Sequence, residues 1–334
     1  MNKALVMLSG GLDSILALRL MLDQNVEIEA IHFVSFFCSN SLNGHPRMSA
    51  VRATRRFGVP LNIANFSRDM VEIVRDPPHG YGKNANPCID CRIASVKRAA
   101  EYMKKIGASF LVTGEVLGER PMSQRREPMR LIDRESGMEG RTLRPLSAKL
   151  LDPTIPEQEG IVDREKLCAI QGRSRLPQME MAKRFGIEDY PSPAGGCLLT
   201  DPSFGKKMLD LIAHKPNYDG NDAHLLKMGR HFRLSPETKV IVGRDEKDNW
   251  KIVTFAKPDD VLFEAAGVTG PTSLLRGPMD ETAKETAAAL TARYGKARHE
   301  ASVKVHCWTK AGERIETIVV APMQDDEIEK LRIG

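Results

Sequence analysis

A glycine-containing loop directly after the first apolar segment is the feature that most constrains this chain. The apolar run at residues 4–8 predicts a buried strand, the sequence Ser-Gly-Gly-Leu-Asp-Ser follows at residues 9–14, and apolar residues then recur at helical spacing. Glycines let a backbone approach a ligand closely, and the start of a helix presents unpaired N–H groups with a partial positive charge. The pattern therefore predicts a strand, turn and helix that bind phosphate. It differs from the Walker pattern, and an ordinary β-to-α turn is the alternative.

Further strands and helices are predicted at β-α-β spacing along the first 150 residues. We expect strands at residues 27–34, 60–63, 109–113 and 141–146, with a helix at residues 48–57. Such spacing predicts a parallel sheet covered on both faces, with a ligand site beyond the carboxyl ends of its strands. The chain after this region is expected to form a connector with a short helix at residues 163–170, a helix at residues 179–185 and an irregular segment at residues 191–197.

The pattern of the chain changes beyond Pro202. Strand-like runs occur at residues 239–243, 250–255, 303–308 and 314–320, together with one long helical stretch at residues 281–294. We therefore predict an α/β domain over residues 1–205 and a second, smaller α+β domain over residues 215–334.

The bulk composition is that of a globular protein. The chain has 334 residues, of which 41% are hydrophobic and 28% charged, and no apolar run approaches the length of a membrane span. The first strand begins directly after residue 3, which leaves no room for a signal peptide, so a cytoplasmic protein is expected. The net charge of +5 is compatible with a polyanionic partner but does not require one.

Two cysteines occupy the predicted start of a helix. The sequence Asn-Pro-Cys-Ile-Asp-Cys-Arg at residues 86–92 suggests that Asn86 caps the helix and that the following proline takes its first position. The helix N-terminus and the neighbouring arginine favour the thiolate forms of Cys88 and Cys91. Cys197 lies in a glycine-rich loop and is the natural third member. We therefore expect these sulfurs to be reactive or metal-bound.

Three thiols fit more than one chemistry. A structural zinc ion prefers four protein ligands, whereas an iron–sulfur cluster can be held by three cysteines with one iron left open, although the usual four-cysteine pattern is absent here too. The other three cysteines are expected to be small buried apolar side chains; these are Cys38, Cys168 and Cys307.

These motifs resemble a known group of enzymes. The loop at residues 9–14 resembles the PP-loop of the ATP pyrophosphatases, which split ATP into AMP and pyrophosphate to adenylate a substrate. With residues 111–118, 122–124 and 143–146, it resembles the catalytic domain of tRNA 4-thiouridine synthetases. The cysteines of residues 86–91 and 196–197 are similar to the pair of the tRNA 2-thiouridylases. The resemblance covers about residues 1 to 200 and implies an adenine nucleotide alpha hydrolase-like fold.

The resemblance also implies roles for individual residues. The phosphates of ATP would contact Ser9, Gly10, Gly11, Asp13 and Ser14, with Asp13 near Mg²⁺. The nucleotide side would be lined by Thr113, Gly114 and Gln124. Catalysis would depend on Asp13 and on the paired sulfurs Cys91 and Cys197. Because Cys88 is an additional cysteine, we favour a [4Fe-4S] cluster held by Cys88, Cys91 and Cys197 over a persulfide carried by two thiols.

The second domain resembles the RNA-binding domain of the NFACT family, through residues 239–249 and 270–271. The resemblance implies that its cations contact RNA backbone; these are Arg230, Arg233, Lys239, Arg244 and Arg276. Solvated surface charge is the alternative. A second RNA track is expected beside the predicted active site at Arg52, Arg55, Arg56, Arg120, Arg125 and Arg126.

Taken with the resemblance, the sequence predicts an ATP-dependent tRNA sulfurtransferase that adenylates a uridine carbonyl oxygen and replaces that oxygen with sulfur. Its expected partners are tRNA and a sulfur donor such as a cysteine desulfurase or free sulfide, with no membrane. Two alternatives stay open: a PP-loop ligase that adenylates a small molecule, and a nucleotide-gated RNA-binding protein without catalysis.

Overall fold

The apolar segment near the N-terminus forms the central strand of a parallel sheet in a computed structural model, which describes residues 2–38, 46–190 and 196–334. Five strands form this sheet: β1 (Lys3–Met7), β2 (Glu27–Val34), β3 (Leu61–Asn65), β4 (Phe110–Thr113) and β5 (Thr142–Leu143). Their order is β3-β2-β1-β4-β5, and every neighbouring pair is parallel. The predicted α/β fold is therefore confirmed.

Helices cover both faces of this sheet. Seven helices belong to the same part of the chain: α1 (Leu12–Leu22), α2 (Pro46–Phe57), α3 (Ser67–Arg75), α4 (Cys88–Lys105), α5 (Arg126–Glu135), α6 (Ile155–Gln158) and α7 (Leu176–Arg184). Alternate residues of β1 point to opposite faces, so Ala4 and Val6 pack in one apolar cluster with α1, whereas Leu5 and Met7 pack in another with α4. Both layers position the loop that follows β1.

The prediction of a helix at residues 163–170 is wrong. Only a single 3₁₀ turn, Arg164–Lys166, forms there. The amide nitrogens of Cys168 and Ile170 instead donate hydrogen bonds to the carbonyl oxygens of Pro145 (2.9 Å) and Leu146 (2.8 Å). Those bonds hold the segment extended against the chain after β5 and take the donors that a helix needs. Of the predicted irregular segment at residues 191–197, residues 191–195 lie outside the described part of the chain.

The chain divides into two units, Met1–Leu198 and Leu199–Gly334. The second unit contains an antiparallel sheet of seven strands: β6 (Arg230–Arg233), β7 (Lys239–Val242), β8 (Val261–Ala265), β9 (Ser273–Arg276), β10 (Val303–Thr309), β11 (Arg314–Val320) and β12 (Arg332–Ile333). Their order is β11-β10-β8-β9-β7-β6-β12. Five helices accompany them: α8 (Pro202–His214), α9 (Gly220–Leu225), α10 (Glu246–Phe255), α11 (Glu281–Arg293) and α12 (Asp325–Leu331). Among the helices of the described residues, none is long and apolar enough to cross a membrane.

Residues 250–255, predicted as a strand, belong to helix α10. The Asp245 carboxylate accepts a hydrogen bond from the backbone N–H of Asp248 (2.8 Å) and so caps the first turn. Ile252 is fully buried beside Ile241 and Leu274 on one face of the sheet. The apolar and β-branched composition of this segment favoured a strand, but the cap and the packing of one helical face outweigh that propensity.

The N-terminal cap of helix α11 allows a test of capping in the second unit. The Asp280 carboxylate accepts a hydrogen bond from the N–H of Ala283 (2.7 Å) at the start of α11. We expect Asp280→Ala to lower the free energy of unfolding of this unit by about 1 kcal/mol, and Asp280→Asn to retain most of it. Urea unfolding followed by tryptophan fluorescence measures this unit alone, because both tryptophans, Trp250 and Trp308, lie in it. An unchanged midpoint for Asp280→Ala would contradict the role of the cap.

Candidate functional site

The loop after β1 is held in shape by its own hydroxyl groups. Ser9 Oγ donates a hydrogen bond to Ser14 Oγ (3.1 Å), and Ser14 Oγ donates to the carbonyl oxygen of Gly11 (2.9 Å). Gly10 has a φ of 82°, a conformation that favours glycine. Within the described residues, no side chain caps the first turn of α1. The N–H groups of that turn are therefore available to an anion.

Glycine at position 114 lets the loops after β1 and β4 meet. Thr113 at the end of β4 lies in register with Met7 of β1. A Cβ atom on Gly114 would lie 2.4 Å from the backbone nitrogen of Ser14, much closer than real Cβ contacts. Gly114 therefore lies directly against the phosphate loop, and only a residue without a side chain fits there.

Gln124 contributes to the neighbouring loop through its own side chain. Its Oε1 accepts a hydrogen bond from the backbone N–H of Arg120 (3.1 Å), and its carbonyl oxygen accepts one from Gly118. Gln124 is buried and braces the loop at residues 118–124. The described contacts of its side chain are thus to the protein backbone.

Asp13 faces a cluster of polar residues at the start of α1. Burial raises the pKa of its carboxyl group, while the positive charges of Arg175 and Arg120 and the nearby Gln178 amide oppose that rise. Asp13 Oδ1 has no hydrogen-bond partner among the described residues. A buried oxygen in this condition is a natural ligand for a cation or a hydrogen-bond donor.

Sequence reasoning missed Arg175 and Gln178. Helix α7 begins at Leu176, three residues before the predicted start, with a proline in its first turn. Gln178 is fully buried, and in the described structure neither its oxygen nor its nitrogen forms a hydrogen bond; Arg175 Nε also lacks a partner. Each such atom costs roughly 1–3 kcal/mol when it stays unpaired. The proline, which marks a helix N-terminus, was the signal that could have placed these side chains beside the phosphate loop.

Four cysteines share one site in the first unit. Cys38 and Cys197 lie opposite each other in an antiparallel bridge, next to a hydrogen bond from the Leu198 amide to the Phe37 carbonyl (2.9 Å). Burial raises the pKa of the Cys91 thiol to about 12, and the thiol groups of Cys197, Cys88 and Cys38 add to that rise. All six cysteines of the chain are described and are thiols rather than disulfides.

Two sequence-based expectations about these thiols are wrong. The neighbouring arginine lowers the pKa of Cys91, but the cost of burying a thiolate is larger, so Cys91 stays protonated at neutral pH. Cys38 was expected to be a buried apolar side chain, yet it is exposed and lies across from Cys197. No signal in the sequence connects residue 38 to residue 197, because only the fold brings them together.

The start of α4 also differs from the prediction. The helix begins at Cys88, and Asn86 does not cap it. The Asn86 amide nitrogen lies 2.9 Å from Cys88 Sγ and donates to that sulfur instead. Asn86 is therefore a direct neighbour of one of the clustered thiols.

The cysteines suit an iron–sulfur cluster in donor chemistry but not in arrangement. Thiolates are the usual ligands of such clusters. Among the described residues, however, no three side chains of cysteine, histidine, aspartate or glutamate are arranged to hold a metal ion. The same finding applies to a ready-made Mg²⁺ site around Asp13, where the unpaired oxygen is a suitable donor but stands alone.

A buried charge network connects the cysteine helix to the strand β4 loop. Glu115 accepts from Arg144 Nε (3.0 Å) and lies 2.9 Å from Arg92 Nη2, the arginine that follows Cys91. Burial would raise the pKa of Glu115, but the two arginines hold it below its ordinary value. Arg144 also donates two hydrogen bonds to Asp133 (2.7 and 2.8 Å). Glu115 directly follows Gly114, so this network fixes the cysteine helix relative to the phosphate loop.

Three of the cations expected to contact RNA form salt bridges with aspartates of the second unit. Arg233 pairs with Asp210 (2.6 Å), Lys239 is buried beside the same carboxylate, and Arg276 binds two aspartates. The expectation that these three face RNA is wrong, because buried carboxylates hold them. Arg230 and Arg244 line a cavity, although Arg244 is also paired with Asp248 (2.6 Å).

Of the six arginines predicted to form an RNA-binding track in the first unit, three contact other residues of that unit. Arg52 binds Asp189, Arg56 donates to the Gly186 carbonyl (2.8 Å), and Arg126 donates to the Leu150 carbonyl (2.6 Å). Within the described ranges, the other three form no salt bridge; these are Arg55, Arg120 and Arg125.

Comparisons with known proteins agree with this division into two parts. Residues 1–149 match the family model described as Thiamine biosynthesis protein (ThiI), and residues 229–332 match the NFACT protein RNA binding domain. A "Probable tRNA sulfurtransferase" of Lysinibacillus sphaericus is 35% identical over 122 residues, which are 35% of this chain and 28% of that protein. One of Geobacillus thermodenitrificans is 32% identical over 147 residues, 43% of this chain and 35% of that protein.

Among solved structures, a 4-thiouridine synthetase in complex with RNA and ATP is 22% identical, with a TM-score of 0.36, and the match covers 54% of this chain and 50% of that one. The chain spans about a third of the length of the curated relatives it matches. Residues 1–149 are thus similar to a ThiI family domain, and residues 229–332 are similar to an NFACT RNA-binding domain.

Proposed function

We propose that this protein is an ATP-dependent tRNA sulfurtransferase, which adenylates a uridine carbonyl oxygen and replaces it with sulfur. The observation that carries the proposal is the phosphate-type loop with the unpaired Asp13 oxygen, tied to a cluster of thiols through the Arg92–Glu115 contact. The tRNA sulfurtransferase names of the relatives and the RNA-binding domain support the choice of substrate.

In the first step, the adenylyl group of ATP is transferred to the uridine oxygen and pyrophosphate leaves. The uncapped first turn of α1 donates its N–H groups to phosphate oxygens, and Arg175 adds a positive charge at the same place. Asp13 and the Gln178 amide have buried polar atoms that can bind the nucleotide and its counter-ion. Mg²⁺, when bound, neutralises phosphate charge, and Asp13 is the residue that would hold it. The uridine oxygen attacks the α-phosphorus, which makes that oxygen part of a good leaving group.

In the second step, sulfur displaces AMP. We propose that Cys197 carries the incoming sulfur as a persulfide, whose terminal sulfur attacks the carbon that bears the adenylated oxygen. Cys91 then loses its proton and attacks the Cys197 sulfur, so that the S–S bond to the product breaks and a Cys91–Cys197 disulfide forms. A sulfane-sulfur donor loads Cys197, and a dithiol reductant reopens the disulfide.

A [4Fe-4S] cluster held by Cys88, Cys91 and Cys197 is the alternative use of the same thiols, and we retain it as a proposal. It draws support from the thiolate chemistry of cluster ligands and from the electrostatic influence of Cys197 and Cys88 on Cys91. Because the described side chains do not close a ligand set, no step above passes through a cluster.

Asp13 provides the first test. We expect Asp13→Asn to lower the rate of AMP and pyrophosphate formation at least about 100-fold without a large drop in melting temperature, because the carboxylate charge is lost and the shape is kept. Since burial raises the pKa of Asp13, wild-type activity should fall as the pH drops through that raised value. Chromatography of the nucleotide products measures both effects. Formation of ADP and phosphate by the wild type would refute the assignment to ATP pyrophosphatases.

Gly114 provides the second test. A methyl group there cannot fit against Ser14, so Gly114→Ala should displace the phosphate loop and abolish ATP cleavage. Gly137→Ala is the matched control, because open space surrounds that glycine and the substitution should only cost about 1 kcal/mol of stability from its positive φ. Equal ATP cleavage by Gly114→Ala and the wild type would show that the two loops do not have to touch.

The cysteines provide the third test, in which single serine variants are assayed for thiouridine formation in tRNA. We expect the Cys91 and Cys197 variants to be inactive, the Cys168 variant to be fully active, and a Cys91–Cys197 disulfide to accumulate when no reductant is supplied. Peptide mapping identifies that disulfide. A Cys38–Cys197 disulfide would transfer the role of Cys91 to Cys38, which lies opposite Cys197.

Anaerobic purification followed by iron and sulfide analysis separates the two routes. Iron and sulfide that disappear in Cys88→Ser together with activity would establish the cluster. Metal-free wild type with an active Cys88→Ser variant leaves the persulfide route. ATP cleavage without any thiouridine would instead favour the ligase alternative.

A further inference from the structure

The second unit contains a cavity of about 1390 Å³. It lies between the ends of β6, β7 and β8, the end of α11 and the first residues of β11. Its size exceeds the roughly 300–1000 Å³ that is typical of small-molecule pockets. The loop at residues 265–271 forms one wall and is fixed by a hydrogen bond from the Lys296 amide to the Thr269 carbonyl (3.2 Å).

Most cations of this cavity differ from Arg233 and Arg276 of the same unit. Four of them have no carboxylate within salt-bridge distance among the described residues: Arg230, Lys296, Arg298 and Arg314. By contrast, Arg233 and Arg276 outside the cavity are held by carboxylates at 2.6 Å. The lining also contains the carboxylates of Asp245, Glu246 and Glu264, and Arg244 is paired with Asp248 (2.6 Å). Five arginine and lysine side chains against these three carboxylates leave a surplus of positive charge at one concave surface, which attracts a polyanion.

Aromatic side chains accompany these charges. The guanidinium group of Arg230 lies 4.5 Å from the centre of the Tyr294 ring, and Trp308 of β10 lines the same cavity. Aromatic rings beside cations form the surfaces on which unpaired bases stack. A regular duplex hides its base faces and cannot use such a ring.

We propose that this cavity binds an unpaired RNA segment, with consecutive phosphates on Arg230, Lys296, Arg298 and Arg314 and a base stacked on Trp308. The proposal rests on the proposed function, in which RNA is the substrate, and it assigns the contact surface within the RNA-binding domain. It replaces the sequence-based set of cations, of which only Arg230 and Arg244 line the cavity.

Binding of a labelled, unstructured 12-nucleotide RNA to the full chain, measured by fluorescence anisotropy, tests the role of the cations. We expect Arg230→Gln and Arg314→Gln each to weaken binding about fivefold at 0.1 M salt and to reduce the slope of log K against log salt by about 0.7. Lys330→Gln is the matched control: it removes the same charge from an exposed residue of α12 outside the cavity. It should change affinity less than twofold.

The tryptophans test the stacking directly. Trp250 is exposed and lies outside the cavity, so Trp250→Phe leaves Trp308 as the single tryptophan. The same RNA should then quench Trp308 fluorescence, and the quenching should saturate with the affinity measured by anisotropy. A blunt-ended duplex and free AMP should each quench it much less.

The outcomes separate this proposal from the proposed function. If the wild type binds none of the RNAs, the RNA substrate itself is wrong. If it binds RNA but the cavity variants behave like Lys330→Gln, or Trp308 fluorescence does not change, the assignment of the cavity is overturned and the proposed function stands. Stronger quenching by AMP than by RNA would make the cavity a nucleotide pocket and also overturn the proposal.

Discussion

The contact between Gly114 and the backbone of Asp13 and Ser14 is the constraint on which the first unit depends. A Cβ atom at position 114 would lie 2.4–2.6 Å from three backbone atoms of that loop. The absence of a side chain therefore brings the loop after β4 against the loop after β1, at the carboxyl edge of two adjacent parallel strands. This edge is where ligands of such sheets bind. The proposed ATP site depends on this close contact between the two loops, because it places Thr113, Asp13 and the start of α1 together.

The same approach determines where the cysteines lie. Glu115 follows Gly114, is buried, and needs the charges of Arg92 and Arg144 to remain ionised. A buried carboxylate that lost one of these partners would be left uncompensated, which typically costs about 3–5 kcal/mol. Arg92 is consequently held in place, and with it Cys91, the preceding residue of α4. A charge pair thus links the residues proposed for adenylation to those proposed for sulfur transfer within one unit.

Local patterns in the sequence predicted the parts of the fold that depend on local chemistry. The strand, glycine turn and helix of residues 4–22 follow from the continuous apolar run of β1, from Gly10 and from helical spacing, and the structure confirms them. Residues 250–255 show the limit, because their strand-like composition is overridden by the Asp245 cap and by the burial of Ile252. Cys38 shows a different limit. Its neighbour is 159 residues away in sequence, so only the folded chain reveals that it faces Cys197.

The candidate RNA contacts show why charge in a sequence is a weak guide to a binding surface. Arg230 and Arg233 are three residues apart on β6, yet one stacks on Tyr294 in the cavity and the other is bound to Asp210 of α8. A sequence shows both as equal positive charges. What distinguishes them is whether the fold supplies a carboxylate, since a paired guanidinium has little left to offer a phosphate. An RNA surface therefore needs cations that the fold leaves without a paired carboxylate, and four such cations line one cavity of the second unit: Arg230, Lys296, Arg298 and Arg314.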